Sequence, residues 1–188
     1  MLNLPNLLSL LRLVAAPVLL LLAAAGRPTA YLVLLAAALL SDAVDGFLAR
    51  RLNQTSELGA RLDSWGDFAI YMTVPLGAWW LWPDLIRREA PFAAAVVASY
   101  ALPVGIGFLK YRRLTSYHTW GAKLSGVLLS AGALILFAGG PAWPFRLAVA
   151  VLVLAELEEI AITAALPEWR ANVPTLRQAL RLRREMRG

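Results

Sequence analysis

Residues 42–67 read DAVDGFLARRLNQTSELGARLDSWGD, and they set Asp42, Asp45, Asp63 and Asp67 into segments otherwise apolar enough to lie in a membrane. Carboxylates at membrane depth are costly and usually functional. Binding divalent cations is the least costly way to hold four of them together, so this stretch is the candidate active site. The surrounding chain has the same apolar character. Of its 188 residues 60% are hydrophobic, and the mean hydropathy is +0.63. Apolar stretches recur from end to end, which places the chain among polytopic membrane proteins. There is no cysteine and a single histidine, His118. Disulfide staples, thiol catalysis and multi-histidine metal sites are therefore excluded. Any metal is held by oxygen, which favours Mg²⁺ or Mn²⁺. The opening MLNLPNLL lacks a charged leader region and a clear cleavage site, so it reads as mature protein.

Six segments are long enough to cross a bilayer at about 20 residues each. They are 4–25, 29–50, 59–82, 90–111, 119–140 and 144–166. The second and third are pure apolar only over Ala30 to Leu40 and Phe68 to Leu81, and continue as polar halves carrying the aspartates. Turn signals separate the spans at Gly26-Arg27-Pro28, Asn53-Gln54-Thr55-Ser56, Pro83-Asp84 and Gly139-Gly140-Pro141. The expected fold is an all-α membrane bundle of six transmembrane helices.

Cation placement sets the expected topology. With the N-terminus inside, only Arg27, Arg87, Arg88 and Arg146 fall outside, leaving the other fourteen of the 18 Lys and Arg residues in the cytoplasm. Trp79, Trp80, Trp82 and Trp143 mark the outer interface, Trp120 and Trp169 the inner one. All four aspartates then lie at the cytoplasmic mouth. Residues 1–166 form the expected catalytic domain, and 167–188 a basic amphipathic cytoplasmic tail. In that tail Val173, Leu176 and Leu180 share one side of a short helix, with Arg177, Arg181 and Arg184 around the other. Such a helix suits an anionic lipid surface, which also accounts for the net charge of +6 better than nucleic acid does.

On a helix, Asp42, Asp45, Gly46, Ala49 and Arg50 fall on one face, and Gly59, Asp63 and Asp67 on a face of the next. The connection of about eight residues makes the two helices antiparallel neighbours. Four carboxylates from two helices suit a pair of divalent ions, a known clamp for phosphoryl displacement. Gly46 and Gly59 open room for a ligand near the backbone. Arg50 can neutralise a phosphate.

The pattern D-x2-D-G-x2-A-R-x8-G-x3-D-x3-D, met here at Asp42, Asp45, Gly46, Ala49, Arg50, Gly59, Asp63 and Asp67, resembles the signature of the CDP-alcohol phosphotransferase family. The six spans, the small size and the opening PNLLSLLR are similar to its smaller members. The resemblance implies displacement of CMP from a CDP-linked lipid, CDP-diacylglycerol above all, by the hydroxyl of an acceptor alcohol. It implies that Asp42, Asp45, Asp63 and Asp67 hold two Mg²⁺ or Mn²⁺ ions, with Asp67 also the general base. Gly46, Ala49, Arg50 and Gly59 would line the nucleotide pocket. A homodimer is implied by the resemblance alone.

A second polar cluster, KYRRLTSYHTWGAK, joins the fourth and fifth spans. Lys110, Arg112, Arg113 and Lys123 could bind a phosphorylated acceptor such as glycerol 3-phosphate or inositol phosphate. Positive-inside topology would produce the same cations. Lys123 precedes a long uncharged stretch and calls for an anionic partner. Arg12 in the first span either snorkels to the surface or turns toward the acids to help bind phosphate. Glu156, Glu158 and Glu159 interrupt the sixth span, and pairing with Lys123 or Arg12 is the expected account of them. Two rival classes are weighed. An ion-coupled transporter would spread its carboxylates through the membrane and show internal repeats. A membrane prenyltransferase would carry its aspartates at a different spacing, in two separate repeats.

Overall fold

A computed structural model describes residues 4–51, 57–113, 117, 119–170 and 172–186, with side chains for all of these except 4–6, 42–51, 57–61, 63, 64 and 67. Every regular element among the described residues is helical. The order is α1 (Leu4–Ala24), α2 (Pro28–Arg51), α3 (Glu57–Leu81), α4 (Pro83–Arg88), α5 (Ala90–Tyr111), α6 (Trp120–Phe137), α7 (Trp143–Ala165) and α8 (Leu176–Glu185). The six long helices follow the segments expected as spans. Among the described residues, three helices are apolar enough over their length to cross a membrane: α1 through Leu7–Ala24, α5 and α6. α2 and α3 contribute shorter apolar stretches, Pro28–Ser41 and Phe68–Leu81. Leu21, Leu109 and Val127 on the spanning helices are each about 70% exposed, an outward apolar surface suited to lipid.

Packing divides the chain into two compact units, Met1–Arg88 and Glu89–Gly188. In the first, α1 packs against both α2 and α3. Its core stripe on α1 is Arg12, Ala15, Ala16, Leu19 and Ala23. Gly26 lies in the turn that follows α1, where its φ of +62° suits glycine. The Arg27 amide reaches back to the Leu22 carbonyl at 2.9 Å, closing the last turn, and Pro28 opens α2 with its fixed φ. α4, a short helix where the sequence reads as a turn, is started by Pro83, and Asp84 accepts a hydrogen bond from Arg87 at 2.9 Å.

In the second unit α7 is the central helix, packed against α5, α6 and α8. α6 and α7 approach closely through glycine. A methyl group at Gly132 would lie 2.8 Å from the Cα of Phe145, and one at Gly121 would lie 3.0 Å from Ala155 Cβ. Small residues at such crossings are how helices associate in lipid, where apolar burial gives no driving force. Glu89, 1% exposed, accepts two hydrogen bonds of 2.9 Å from the guanidinium of Arg146, tying the start of α5 to the start of α7. Cation placement alone gives Arg146 a topological role and gives Glu89 none.

The tail departs from its expected orientation. α8 packs Leu176, Ala179, Leu182 and Met186 toward Tyr117, Ile162, Ala165, Leu166 and Val173. Leu180, expected on the apolar side, is 43% exposed, because Ala179 lies at the centre of the packed face. Protein and not lipid covers that face.

Candidate functional site

Two ties between α2 and α3 fix how the aspartate-bearing segments run. At one end the helices are joined through residues 52–56. At the other, the Tyr31 hydroxyl donates to the Val74 carbonyl at 3.4 Å, and the Tyr31 ring crowds Gly77 so closely that a methyl there would sit 2.7 Å away. The helices are therefore antiparallel. Asp42 lies eleven residues along α2 from Tyr31, and Asp63 lies eleven residues back along α3 from Val74. At 1.5 Å of rise per residue both are about 16 Å from the same tie. Asp42 and Asp63 thus lie at matching heights, with Asp45 about one turn farther from the tie on α2 and Asp67 about one turn nearer to it on α3.

The buried stripes point the same way. On α2 the buried positions are Tyr31, Leu35 and Ala38. Carried on at the same three- and four-residue spacing, the series meets Asp42, Asp45 and Ala49. On α3 it runs back from Gly77 through Thr73, Ile70 and Gly66, and continues to Asp63 and Gly59. The side chains of Asp42, Asp45, Gly46, Ala49, Arg50, Gly59, Asp63 and Asp67 lie outside the described residues.

Arg12 is 2% exposed, with Nη2 3.5 Å from the Ser9 hydroxyl oxygen. It does not snorkel. It packs on α3 at Gly66, where an added methyl would lie 3.4 Å from Arg12 Cβ and 3.2 Å from the Ser9 carbonyl. Gly66 stands between Asp63 and Asp67 in sequence. A guanidinium on α1 is thereby held against the acidic segment of α3.

The cations of the second cluster belong to the second unit and separate into two kinds. Lys110 is a structural cap: its ammonium donates to the carbonyls of Thr163 at 2.6 Å, Leu166 at 2.8 Å and Ala164 at 3.2 Å. These are carbonyls that the end of α7 leaves without intrahelical partners, and a cation there complements the helix dipole. The Tyr111 hydroxyl shares this work, lying 2.8 Å from the carbonyls of both Thr163 and Leu166. Arg112, Arg113 and Lys123 are exposed. Arg112 closes α5 in the left-handed region at φ 56°, Arg113 lies over Trp169 at 5.7 Å, and Lys123 lies over Trp120 at 5.2 Å.

The glutamates of α7 are not paired as expected. Glu158 accepts the amide hydrogen of Leu176 at 2.9 Å, capping α8. Glu159 accepts a hydrogen bond from the Thr119 hydroxyl at 3.2 Å. Lys123 turns to the exposed side of α6, three residues from Trp120, while Thr119 at the helix start takes the place opposite Glu159. Glu156 is buried on α7, and among the described residues no cation reaches it. Nor do the α7 acids form a group that could hold a metal among the described residues. Tyr111, Tyr117 and Thr163, which connect these elements, were not singled out from the sequence. Tyr117 and Thr163 are buried and hydrogen-bond at 2.9 Å, a pairing 46 residues apart that no local pattern reveals.

Comparison with known proteins assigns the class. The profile of the CDP-alcohol phosphatidyltransferase family matches residues 2–167, and the chain belongs to that family. With its apolar helices, it is an integral membrane protein. An Aquifex aeolicus protein named CDP-diacylglycerol–glycerol-3-phosphate 3-phosphatidyltransferase is 43% identical over 65 residues, covering 35% of this chain and 36% of its own. A Mycobacterium bovis protein, named provisionally as a cardiolipin synthase, is 33% identical over 103 residues, covering 50% of this chain and 49% of its own. A Mycobacterium tuberculosis protein, named provisionally as a phosphatidylglycerophosphate synthase, is 29% identical over 178 residues, covering 86% and 78%. The chain thus spans about a third to a half of the first two relatives and more of the third. No solved structure matches it.

Proposed function

We propose that this protein transfers a phosphatidyl group from CDP-diacylglycerol to the hydroxyl of a phosphorylated polyol, glycerol 3-phosphate foremost, and releases CMP. The observation that carries the reading is the complete aspartate signature, Asp42 through Asp67, on two antiparallel helices of a chain belonging to this family. The names of the Aquifex and M. tuberculosis relatives support glycerol 3-phosphate as acceptor.

The donor set is all carboxylate, which suits hard divalent ions and no softer metal. Asp42, Asp45, Asp63 and Asp67 would hold two Mg²⁺ or Mn²⁺ ions. When bound, these would supply Lewis-acid neutralisation of the pyrophosphate. Asp67 takes the proton of the acceptor hydroxyl as general base. The acceptor oxygen bonds to the phosphorus bearing diacylglycerol. The bond from that phosphorus to the oxygen bridging it to CMP breaks, and CMP leaves with the electron pair. Gly46, Ala49, Arg50 and Gly59 line the nucleotide pocket. Arg12, already held at Gly66, contributes positive charge to the phosphates. Arg112, Arg113 and Lys123 keep exposed charges suited to an acceptor phosphate, whereas the Lys110 ammonium is occupied by α7.

The same reading takes α1, α2, α3, α5, α6 and α7 as six spans, with both termini and the aspartates on the cytoplasmic side, and the working unit as a homodimer. The test is to incubate purified protein with CDP-diacylglycerol and a panel of phosphorylated and unphosphorylated alcohols, and to follow CMP. Release with glycerol 3-phosphate, and little with serine or inositol, is the expected outcome. Release with serine alone would overturn the acceptor assignment.

A further inference from the structure

α8 presents a charged face that the proposed reaction does not use. Its apolar side is already covered, with Ala179 fully buried and Leu176, Leu182 and Met186 packed around it. Arg177, Arg181 and Arg184 recur at steps of four and three, and so form a single stripe on the opposite side, where all three are exposed. Leu180 flanks that stripe, and a shallow recess is lined by Arg177, Leu180, Arg181 and Arg184. Glu185 offsets the stripe little, since its 3.1 Å pair with Arg181 is solvent-exposed on both sides.

The helix is held in place at its N-terminus. Thr175 caps it through the Gln178 amide, and the Glu158 carboxylate of α7 takes the Leu176 amide. It is also held at an end of the second unit where tryptophans and cations gather. α8 packs at the end of α7, where Lys110 and Tyr111 of α5 cap the helix and Thr119, the first residue before α6, meets Glu159. α5 and α6 are long and apolar enough to cross a membrane, and that end carries Trp120, 71% exposed under Lys123, and Trp169 under Arg113. Tryptophan beside Lys and Arg at the end of a span marks the headgroup layer.

We propose that the Arg177–Arg181–Arg184 stripe is a docking surface for anionic phospholipid headgroups, presented by a helix whose apolar side is anchored to the protein. This differs from an inserting amphipathic helix. The attraction is electrostatic and decays within a Debye length of an anionic surface. The surface therefore gathers anionic lipid around the protein without inserting into the bilayer, and does so independently of the transfer reaction.

The absence of cysteine makes the test direct. Gln178→Cys supplies one labelling site on the exposed shoulder of α8. The full chain is placed in phosphatidylcholine nanodiscs containing either spin-labelled phosphatidylglycerol or spin-labelled phosphatidylcholine at equal mole fraction. Quenching of a fluorophore at position 178 is then compared, with no donor or acceptor present. The anionic lipid is expected to quench at least about twofold more strongly, and the preference to vanish at about 1 M salt. It is also expected to vanish when Arg177, Arg181 and Arg184 are all changed to Gln, and to survive their change to Lys. Amide exchange over Leu176–Glu185 checks that the helix stays docked, and the salt measurement needs no change in the arginines. Equal quenching by the two lipids, or a preference indifferent to salt and to the Gln changes, would overturn the proposal and leave a protein partner as the occupant of the stripe.

Discussion

Gly66 and Arg12 are in van der Waals register across the α1–α3 contact: a methyl group added to Gly66 would lie 3.4 Å from Arg12 Cβ, with the Ser9 carbonyl nearer still at 3.2 Å. This contact puts a buried cation beside the one segment of α3 that carries two aspartates. Its consequence is a division of labour between the faces of the first unit. The apolar stripes hold the helices together, and the same stripes, continued in register, meet Asp42, Asp45 and Asp63. Gly66→Val is expected to force α1 from α3 and to cost about 1–3 kcal/mol, as overpacking does. Chemical unfolding in detergent measures that loss. CMP release would fall with it, since Arg12 moves away from Asp63 and Asp67.

A second glycine comparison is internally controlled. Gly132 and Gly126 lie on the same helix, but a methyl at Gly132 meets Phe145 backbone at 2.8 Å while one at Gly126 meets nothing within 4 Å. Gly132→Ala is expected to destabilise by about 1–3 kcal/mol. Gly126→Ala is expected to be neutral or slightly stabilising, by up to about 1 kcal/mol from helix propensity. Equal midpoints in thermal unfolding would contradict the close α6–α7 crossing.

Lys110 and Arg113 lie three residues apart; Lys110 caps α7, while Arg113 is proposed to meet the acceptor phosphate. Lys110→Met removes a charged donor from three carbonyls and is expected to cost about 1.5–3 kcal/mol, with faster amide exchange around Thr163 to Leu166. The KM for the acceptor is expected to stay within about twofold once the folded fraction is accounted for. Arg113→Gln is expected to leave stability within about 0.5 kcal/mol and to raise that KM. Steady-state kinetics beside a denaturation curve separate the two.

Glu158 caps α8 from α7, so Glu158→Leu is expected to fray the tail helix by about 0.5–2 kcal/mol, the usual worth of an N-terminal cap. Glu158→Gln retains an acceptor oxygen and is expected to lose less. Hydrogen exchange across Leu176–Glu185 reads both, and identical protection in the two variants and the parent would contradict the capping role.

Much of this was legible in the sequence because long apolar segments bounded by Gly and Pro leave few alternatives. Gly26-Arg27-Pro28 marks a helix end and the next helix start in both sequence and structure. The polar continuations of α2 and α3 were recognised from the short runs Ala30 to Leu40 and Phe68 to Leu81. What failed depended on tertiary partners. A helix alone on lipid would turn Leu180 to its apolar side, whereas α7 supplies the surface and selects Ala179 as its centre. Acids within a span call for cations, yet an amide and a hydroxyl distant in sequence satisfy Glu158 and Glu159. Lys110 looked like a ligand cation for the same reason: the carbonyls it caps lie more than fifty residues away. Sequence leaves Arg12 free to turn inward or outward, and its contact with Gly66 on α3 decides for inward.

The most direct test is the initial rate of CMP release from CDP-diacylglycerol, measured on the purified parent protein and on Asp67→Asn side by side. The account predicts release that requires both a divalent cation and an acceptor alcohol, and a fall of about 10²–10⁴-fold in the variant while it stays folded and still binds the donor. CMP release by Asp67→Asn at the parent rate would contradict the assignment of Asp67. No release by the parent with any acceptor would contradict the transfer reaction itself.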